Sequence, residues 1–493
     1  MAQNTDSPRR LGAGAKLTLL DATAQSIGFM GPVFSIAFLV PLLVGLNAAQ
    51  NGAGAAAPLS VLLAAVGVLG LGWIVSEYAR RISAAGSLYD YISDGFGTRV
   101  GAAFGFLYYA GIIGLGGGLL VLLGGTLHDT LDGEFHHPIL PEGLWDVVLL
   151  VIVAAVLYLG VALSTRAQLV LAMISIAVVL VFSLYVIGKV GSHNDVVKAF
   201  NPGTSPTGLT GVMFGVLYGV LLFTGFETAA NLAEETSHPK RDIPRAVLIS
   251  VLAISGFYVI VSYAQVAGFG FDLKTISDNA GAPLFSLASG ADAGGYGSDG
   301  MRHLLELVVV LDMLAVLIGV SVAGSRGVFA LARDARLPGA LARISPRSTP
   351  MTASGLLVVV YAILISLTLW ATNWLAIDKT PHYAAVFGWF STLGGLALAI
   401  IYMVMSVGAI QGLASHPQPW KVYLASAVGI LVTLAAIFGS IYQVPAPTKY
   451  AAWTAGVLLI LGFLLTLVFP GRPDSTPDHF SELTQADQGP MKL

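Results

Sequence analysis

Two carboxylates lie within apolar stretches that are long enough to cross a membrane. Glu227 is in "LLFTGFETAANL" and Asp312 is in "VVVLDMLAVL". Ionisable side chains at that depth are costly and are functional candidates by default. Glu227 follows a break in its helix, so we expect it to brace the unwound backbone through hydrogen bonds rather than to touch a solute. Asp312 has three interpretations: a counter-charge for an amine, a proton carrier, or a residue lining a water-filled outer vestibule.

The first apolar stretch contains a second kind of candidate, a broken backbone. The segment "QSIGFMGPVFS", residues 25–35, has Gly28, Gly31 and Pro32 at its centre. Proline suits the first position of a helix, so Pro32 is predicted to open a second half-helix whose N-terminal amides lack intrahelical partners. The first half-helix is predicted to end near residues 25–28 with unpaired carbonyls. Such a point suits a small zwitterion or a cation; the alternative is a proline kink repaired by neighbouring helices.

Composition indicates that these candidates belong to a polytopic membrane protein. Of the 493 residues 56% are hydrophobic and 10% are charged, with a mean hydropathy of +0.80, whereas soluble proteins carry about 25% charged residues. The net charge of −3 offers no basic surface for nucleic acid, and the absence of cysteine excludes disulfides and thiol catalysis. No HExxH, GxSxG or phosphate-binding motif is present, so we expect neither a cofactor nor an enzyme. No charged ring or filter segment suggests a channel.

Hydropathy predicts twelve transmembrane helices, since a span needs about 20 mostly apolar residues. They are expected near 18–46, 56–79, 100–126, 144–163, 167–189, 209–234, 244–268, 303–326, 352–371, 382–410, 421–442 and 451–470. Residues 1–16 and 471–493 are predicted cytoplasmic tails. With both termini inside, most of the 24 lysines and arginines fall on the cytoplasmic side, as the positive-inside rule requires.

The two interrupted helices occupy matching positions in two five-helix halves. Interruptions at corresponding positions indicate the binding site of a secondary transporter built from inverted repeats. We therefore predict a first repeat over 17–190, a second over 207–410, and two further helices over 419–470.

Two charge clusters are predicted on the cytoplasmic side. Glu234 and Glu235 are expected to form a network with Lys240, Arg241 and Arg245, and Glu77 is expected to pair with Arg80 and Arg81.

Three segments resemble the amino acid–polyamine–organocation superfamily of transporters. They are "SEYARRISAAGSLYDYISDGFG", "FTGFETAANLAEETSHPKRDIPRAV" and "GSRGVFALARDARLPGALARISPRSTP", at 76–97, 223–247 and 324–350. The resemblance implies alternating access and a central site between helices 1 and 6. By position, the substrate-binding residues implied are Ile27, Gly28, Met30, Gly31, Leu221, Thr224, Gly225 and Phe226.

The sequence departs from the family pattern at three places. Pro32 replaces a residue whose amide often meets a substrate carboxylate, which leaves the amides of Gly31 and Val33. Leu221 stands where relatives often carry a gating aromatic, so Phe223, Phe226 or Trp389 would gate instead, unless these aromatics only pack. Ser175 falls near the position of a lysine that several sodium-independent relatives carry.

These observations predict a secondary transporter in the cell membrane for a small amine-bearing solute, chiefly an amino acid. The alternative is a carrier of polyamines or other organic amines, favoured by Pro32 and Asp312. Coupling stays open: Asp312 or Glu227 would carry a proton, Ser321 and Ser325 would help bind sodium, or exchange would need no ion.

Overall fold

The computed structural model describes residues 17–44, 52–135, 139–279, 283–371, 373–377, 380–441, 444 and 446–471. The predicted tails lie outside the described residues, apart from Gly471. Over the described ranges the chain is helical, and its only extended pairing is a single bridge between Leu17 and Thr236.

The described residues form seventeen α-helices, numbered α1 to α17 in chain order. They are Leu19–Met30, Pro32–Val44, Ala57–Ala79, Leu88–Phe96, Thr98–Phe135, Glu142–Leu159, Val161–Val190, Val196–Ala199, Leu209–Leu221, Pro239–Gly268, Leu273–Asp278, Pro283–Ala288, Asp299–Arg333, Met351–Trp370, His382–Gly412, Pro419–Ile441 and Tyr450–Val468. A 3₁₀ segment covers Thr228–Glu235, and short 3₁₀ turns cover Gly54–Ala56, Gly191–His193, Pro202–Thr204, Ala291–Ala293 and Gly339–Ala342.

Ten of the described helices are long and apolar enough to cross a membrane. Each corresponds to one continuous predicted span. The remaining predicted spans, 18–46 and 209–234, are the two interrupted ones: α1 followed by α2, and α9 followed by the 3₁₀ segment. The structure therefore shows a polytopic helical membrane protein whose two broken helices are those predicted.

The helices separate into a buried centre and a periphery. In the most apolar stretch of α5 and of α13, 78% of the residues are buried, against 22% in α6 and α17. α13 packs against α5 and α7, while α1 packs against α7, α10 and α13. The glycine-rich face of α5 allows close approach: Gly111 lies against Ala397 and Gly118 against Phe390, both on α15. The broken helix α1–α2 is thus enclosed by the central helices.

Candidate functional site

The first interruption is confined to Gly31. A capping box begins α1: the Thr18 amide donates to Asp21 Oδ2 at 2.9 Å, and the Asp21 amide donates to Thr18 Oγ1. The helix then continues to Met30, further than the predicted end near 25–28. Gly31 has a left-handed backbone (φ 54°), which glycine adopts at little cost. Pro32 then opens α2, as predicted.

The backbone groups at this interruption already have partners within the chain. The Gly31 amide donates to Ile27 O at 3.2 Å, and the Ser35 amide donates to Gly31 O at 2.8 Å. Ser35 Oγ donates to Met30 O at 2.8 Å. The prediction that the first half-helix exposes unpaired carbonyls near residues 25–28 is therefore wrong for Ile27, and the Met30 carbonyl at the observed helix end is also bonded.

Asp312, on α13, caps the start of α2. Its Oδ2 accepts hydrogen bonds from the Val33 amide at 2.9 Å and from the Phe34 amide at 2.8 Å. A carboxylate is stabilised there because unpaired amides and the helix dipole favour negative charge. The expectation that the amides of Gly31 and Val33 stay available is wrong, since one closes α1 and the other holds Asp312. The Asp312 side chain is fully buried, so it does not line an open outer vestibule in this conformation.

The second interruption is longer and less regular than the first. Between the end of α9 at Leu221 and the 3₁₀ segment, six residues form turns, with Gly225 at φ 103°. The Phe226 amide donates to Phe223 O at 3.2 Å, and the Thr228 amide donates to Gly225 O at 3.0 Å. The break therefore falls at the Thr-Gly-Phe sequence that predicted it.

Glu227 lies at the end of this turn and is fully buried. Tyr108 Oη, on α5, donates to Glu227 Oε1 at 2.9 Å, and Tyr402 Oη, on α15, donates to Oε2 at 2.5 Å. Both carboxylate oxygens are thus used to attach the unwound segment to two central helices. This is the arrangement that a bracing role requires.

The two interruptions are in direct contact. Ser26 Oγ donates to Phe226 O at 2.7 Å and accepts from the Ala229 amide at 3.1 Å. Gly225 has room for no side chain, because an added Cβ would overlap the ring of Phe29. The first helix thus approaches the second break through a serine and a glycine contact.

The predicted substrate-binding residues differ in their exposure and in the side chains that they face. Ile27, Met30 and Phe226 are buried, whereas Leu221 and Thr224 are partly exposed. Gly28 lies against Gln168 of α7, and Gly31 lies against Val316 and Asp312 of α13, so these glycines face α7 and α13 rather than the second break. Gly225 faces Phe29.

The candidate gating aromatics pack against other rings. Phe223 lies edge-on to Tyr258 with ring centroids 5.1 Å apart, and Phe226 lies 5.2 Å from Tyr402. The partly exposed Trp389 lies 4.9 Å from Phe390. These contacts agree with the packing alternative in this conformation.

An amide pair next to the first interruption was not predicted. Gln25 Nε2 donates to Gly319 O at 3.0 Å, and Gln168 Nε2 donates to Gln25 Oε1 at 3.3 Å. It joins α1, α7 and α13, and its signal in the sequence was the presence of two glutamines in apolar runs. Ser175, seven residues beyond Gln168, instead donates to Val308 O at 2.7 Å.

The serines named as possible sodium ligands bond within their own helix. Ser321 Oγ donates to Leu317 O at 2.6 Å and lies 3.1 Å from Tyr361 Oη, while Ser325 Oγ donates to Val322 O at 3.0 Å. Within the described ranges, no cluster of three His, Asp or Glu residues could hold a metal ion.

A charge network lies at the end of the 3₁₀ segment. Glu235 pairs with Arg326 and Glu234 with Arg333, each at 2.6 Å and each buried. Burial raises the pKa of the neighbouring Asp334, against the opposing effect of Arg333. A network was predicted here, but its partners were wrong.

The predicted partners of that network lie elsewhere. Among the described residues no ion pair joins Lys240, Arg241 or Arg245 to the two glutamates, and Arg241 pairs with adjacent Asp242. The arginines used come from α13 because that helix packs against the 3₁₀ segment. The predicted pair of Glu77 with Arg80 is present at 3.3 Å.

Comparison with known proteins identifies the family. The amino acid permease family matches residues 26–473, which is most of the chain. The chain belongs to the amino acid permease family. The resemblance found in the sequence is thereby confirmed, and the function of the chain is transport of amino acids across a membrane.

Individual relatives are distant. The branched-chain amino acid permease BcaP of Bacillus subtilis is 25% identical over 66% of this chain and 70% of its own length, and BcaP of Lactococcus lactis is 26% identical over 71% and 75%. The vacuolar cationic amino acid transporter 4 of Arabidopsis thaliana is 28% identical over 72% of this chain and 58% of its own length.

A solved structure supports the fold. A mutant of a manganese transporter from Eremococcus coleocola superposes with a TM-score of 0.56 at 13% identity, over 93% of this chain and 97% of its own. At that identity the likeness concerns the fold alone.

Proposed function

We propose that this chain is a secondary active transporter that carries an amino acid across the cell membrane by alternating access. The proposal includes twelve spans, with inverted repeats over 17–190 and 207–410, two further helices over 419–470, and both termini in the cytoplasm. The solute would bind where the two interrupted helices meet. The single observation that carries this site is the contact of Ser26 with Phe226 O and the Ala229 amide, which brings both broken backbones to one place.

The neighbouring contacts fit a site that must change shape. In secondary transporters, interrupted helices place backbone dipoles next to the solute. Thr224 and Leu221 are partly exposed beside fully buried neighbours, so they border the open side of the second break. Bracing by Glu227 would keep this break irregular while the surrounding helices move.

The absence of cysteine gives a direct test, because a single introduced thiol is unambiguous. Thr224→Cys is reacted with a membrane-permeant thiol reagent in liposomes, with and without a panel of amino acids. We expect a transported amino acid to slow labelling at this position and to show saturable counterflow. Ala293→Cys, in an exposed turn outside the helices, is the matched control, and its labelling should not respond to amino acids.

Ala293→Cys also tests the proposed orientation of the chain in the membrane. In intact cells an impermeant reagent should label Ala293→Cys, because the loop between α10 and α13 is proposed to lie outside. Imposing a proton or a sodium gradient across the liposomes identifies the coupling ion. Absence of both saturable counterflow and protection for every amino acid would overturn the proposed function.

A further inference from the structure

The start of α2 has no hydrogen-bond donor left for a solute. Pro32 has no N–H, the Val33 and Phe34 amides both donate to Asp312 Oδ2, and the Ser35 amide donates to Gly31 O. The Gly31 amide is used to end α1. A carboxylate of the chain therefore already occupies the position where a helix start would bind a carboxylate of a solute.

Charge argues against a second carboxylate at the same place. Among the described residues no lysine or arginine forms an ion pair with Asp312. Two carboxylates sharing a site repel each other. A solute carboxylate would have to displace Asp312 and leave it buried without partners, which is costly.

The other oxygen of Asp312, Oδ1, has no hydrogen-bond partner. It is buried, as is the rest of the side chain. A buried carboxylate oxygen without a hydrogen-bond partner is suited to a cationic donor. An ammonium group has three donors and no acceptor. Two amides fix Oδ2, so Oδ1 is held in place by the cap itself.

Asp312 lies at the first interruption, which is in contact with the second. Asp312 lies beside Gly31 of the first break. The helix that contains this break reaches the second break through Ser26, whose Oγ donates to Phe226 O at 2.7 Å. Asp312 thus lies at the proposed solute site rather than at its margin.

We propose that Asp312 determines specificity: the solute is recognised by an ammonium group on Asp312 Oδ1, and a carboxylate on the solute is not required at the start of α2. The inference rests on the proposed site, and it extends the substrate class from amino acids to amines without a carboxylate. Asp312 supplies the negative charge of the solute site.

The test uses matched solutes that differ by one group. Purified protein in liposomes is loaded with labelled leucine, and exchange is measured against leucine, 3-methylbutylamine, which lacks the carboxylate, and 4-methylpentanoate, which lacks the amine. Arginine and agmatine form a second pair. We expect each amine to compete within about tenfold of its amino acid and the acid without an amine not to compete. Competition by 4-methylpentanoate but not by 3-methylbutylamine would overturn the inference.

Asp312→Asn separates charge from structure. The amide oxygen of asparagine still accepts from Val33 and Phe34, so the cap is retained while the charge is lost. Apparent affinity for both amines should fall roughly thirtyfold or more, as expected when a buried charge pair loses one partner. Asp146→Asn, which removes another buried carboxylate on α6, is the control and should leave amine affinity unchanged.

A binding readout separates this inference from the proposed function. Ligand-induced thermal stabilisation by 3-methylbutylamine is measured on detergent-purified wild type, so it needs neither transport nor a folded variant. Stabilisation by the amine supports the inference even if no amino acid is exchanged, in which case only the proposed function fails. Counterflow of leucine without any amine binding would retain the proposed function and overturn the inference.

Discussion

The two interruptions are closed by carboxylates that are used in different ways. At the second break Glu227 comes from the broken segment itself and has both oxygens bonded, to Tyr108 and Tyr402. At the first break Asp312 comes from another helix and uses one oxygen for two amides. Its other oxygen has no partner.

This difference separates a structural carboxylate from a binding one. A buried carboxylate with both oxygens satisfied has no capacity left for a solute, so Glu227 fixes the backbone of the second break. A buried carboxylate with one free oxygen is costly unless a ligand supplies a donor. The two breaks also differ in length. The first is a single glycine, whereas the second is a six-residue turn, and the second is the one whose backbone Glu227 braces.

The largest expected effect concerns Glu227. Glu227→Ala leaves the buried hydroxyls of Tyr108 and Tyr402 without an acceptor and should lower the free energy of unfolding by on the order of 3 kcal/mol. The measurement is thermal unfolding of the purified protein in detergent. Glu227→Gln keeps one acceptor and should lose clearly less; equal losses for the two variants would mean that the hydrogen bonds do not brace the segment.

Alanine at the two break glycines should come next. Gly31→Ala requires a left-handed backbone, which costs about 1–2 kcal/mol, and its Cβ would overlap Val316 Cγ2. Gly225→Ala has the corresponding conflict with Phe29. In thermal unfolding, Val316→Ala should rescue part of the loss in Gly31→Ala and none of the loss in Gly225→Ala. Rescue of both would contradict the contacts assigned to the two breaks.

A smaller effect on stability is expected at Asp312. Asp312→Ala removes the acceptor for the Val33 and Phe34 amides and should cost about 1 kcal/mol, as for loss of an N-cap. Asp312→Asn keeps an acceptor and should unfold near the wild-type temperature. If asparagine were as destabilising as alanine, the cap would depend on the charge, and Asp312 would resemble Glu227 as a structural group.

The smallest effect is expected at Pro32. Pro32→Ala restores an amide at the start of α2, but Asp312 already occupies that position. The ratio of apparent affinities for leucine and 3-methylbutylamine should therefore change by less than about threefold. The ratio is measured by competition in the liposome assay. A strong gain for leucine alone would show that solute carboxylates bind these amides.

The sequence predicted the features that depend on local chemistry. Gly31 and Pro32 determine a break wherever the helix lies, and Thr224-Gly225-Phe226 does the same for the second. The partners could not be predicted, because they come from distant parts of the chain. Asp312 is 279 residues from Val33, and Arg326 is 91 residues from Glu235, where nearby Lys240, Arg241 and Arg245 were the obvious candidates.

The most direct test is a solved structure with the amino acid that exchanges fastest in liposomes. We expect its ammonium nitrogen within hydrogen-bond distance of Asp312 Oδ1, with Oδ2 still bonded to the Val33 and Phe34 amides. A solute carboxylate on those two amides, with Asp312 displaced, would contradict the account.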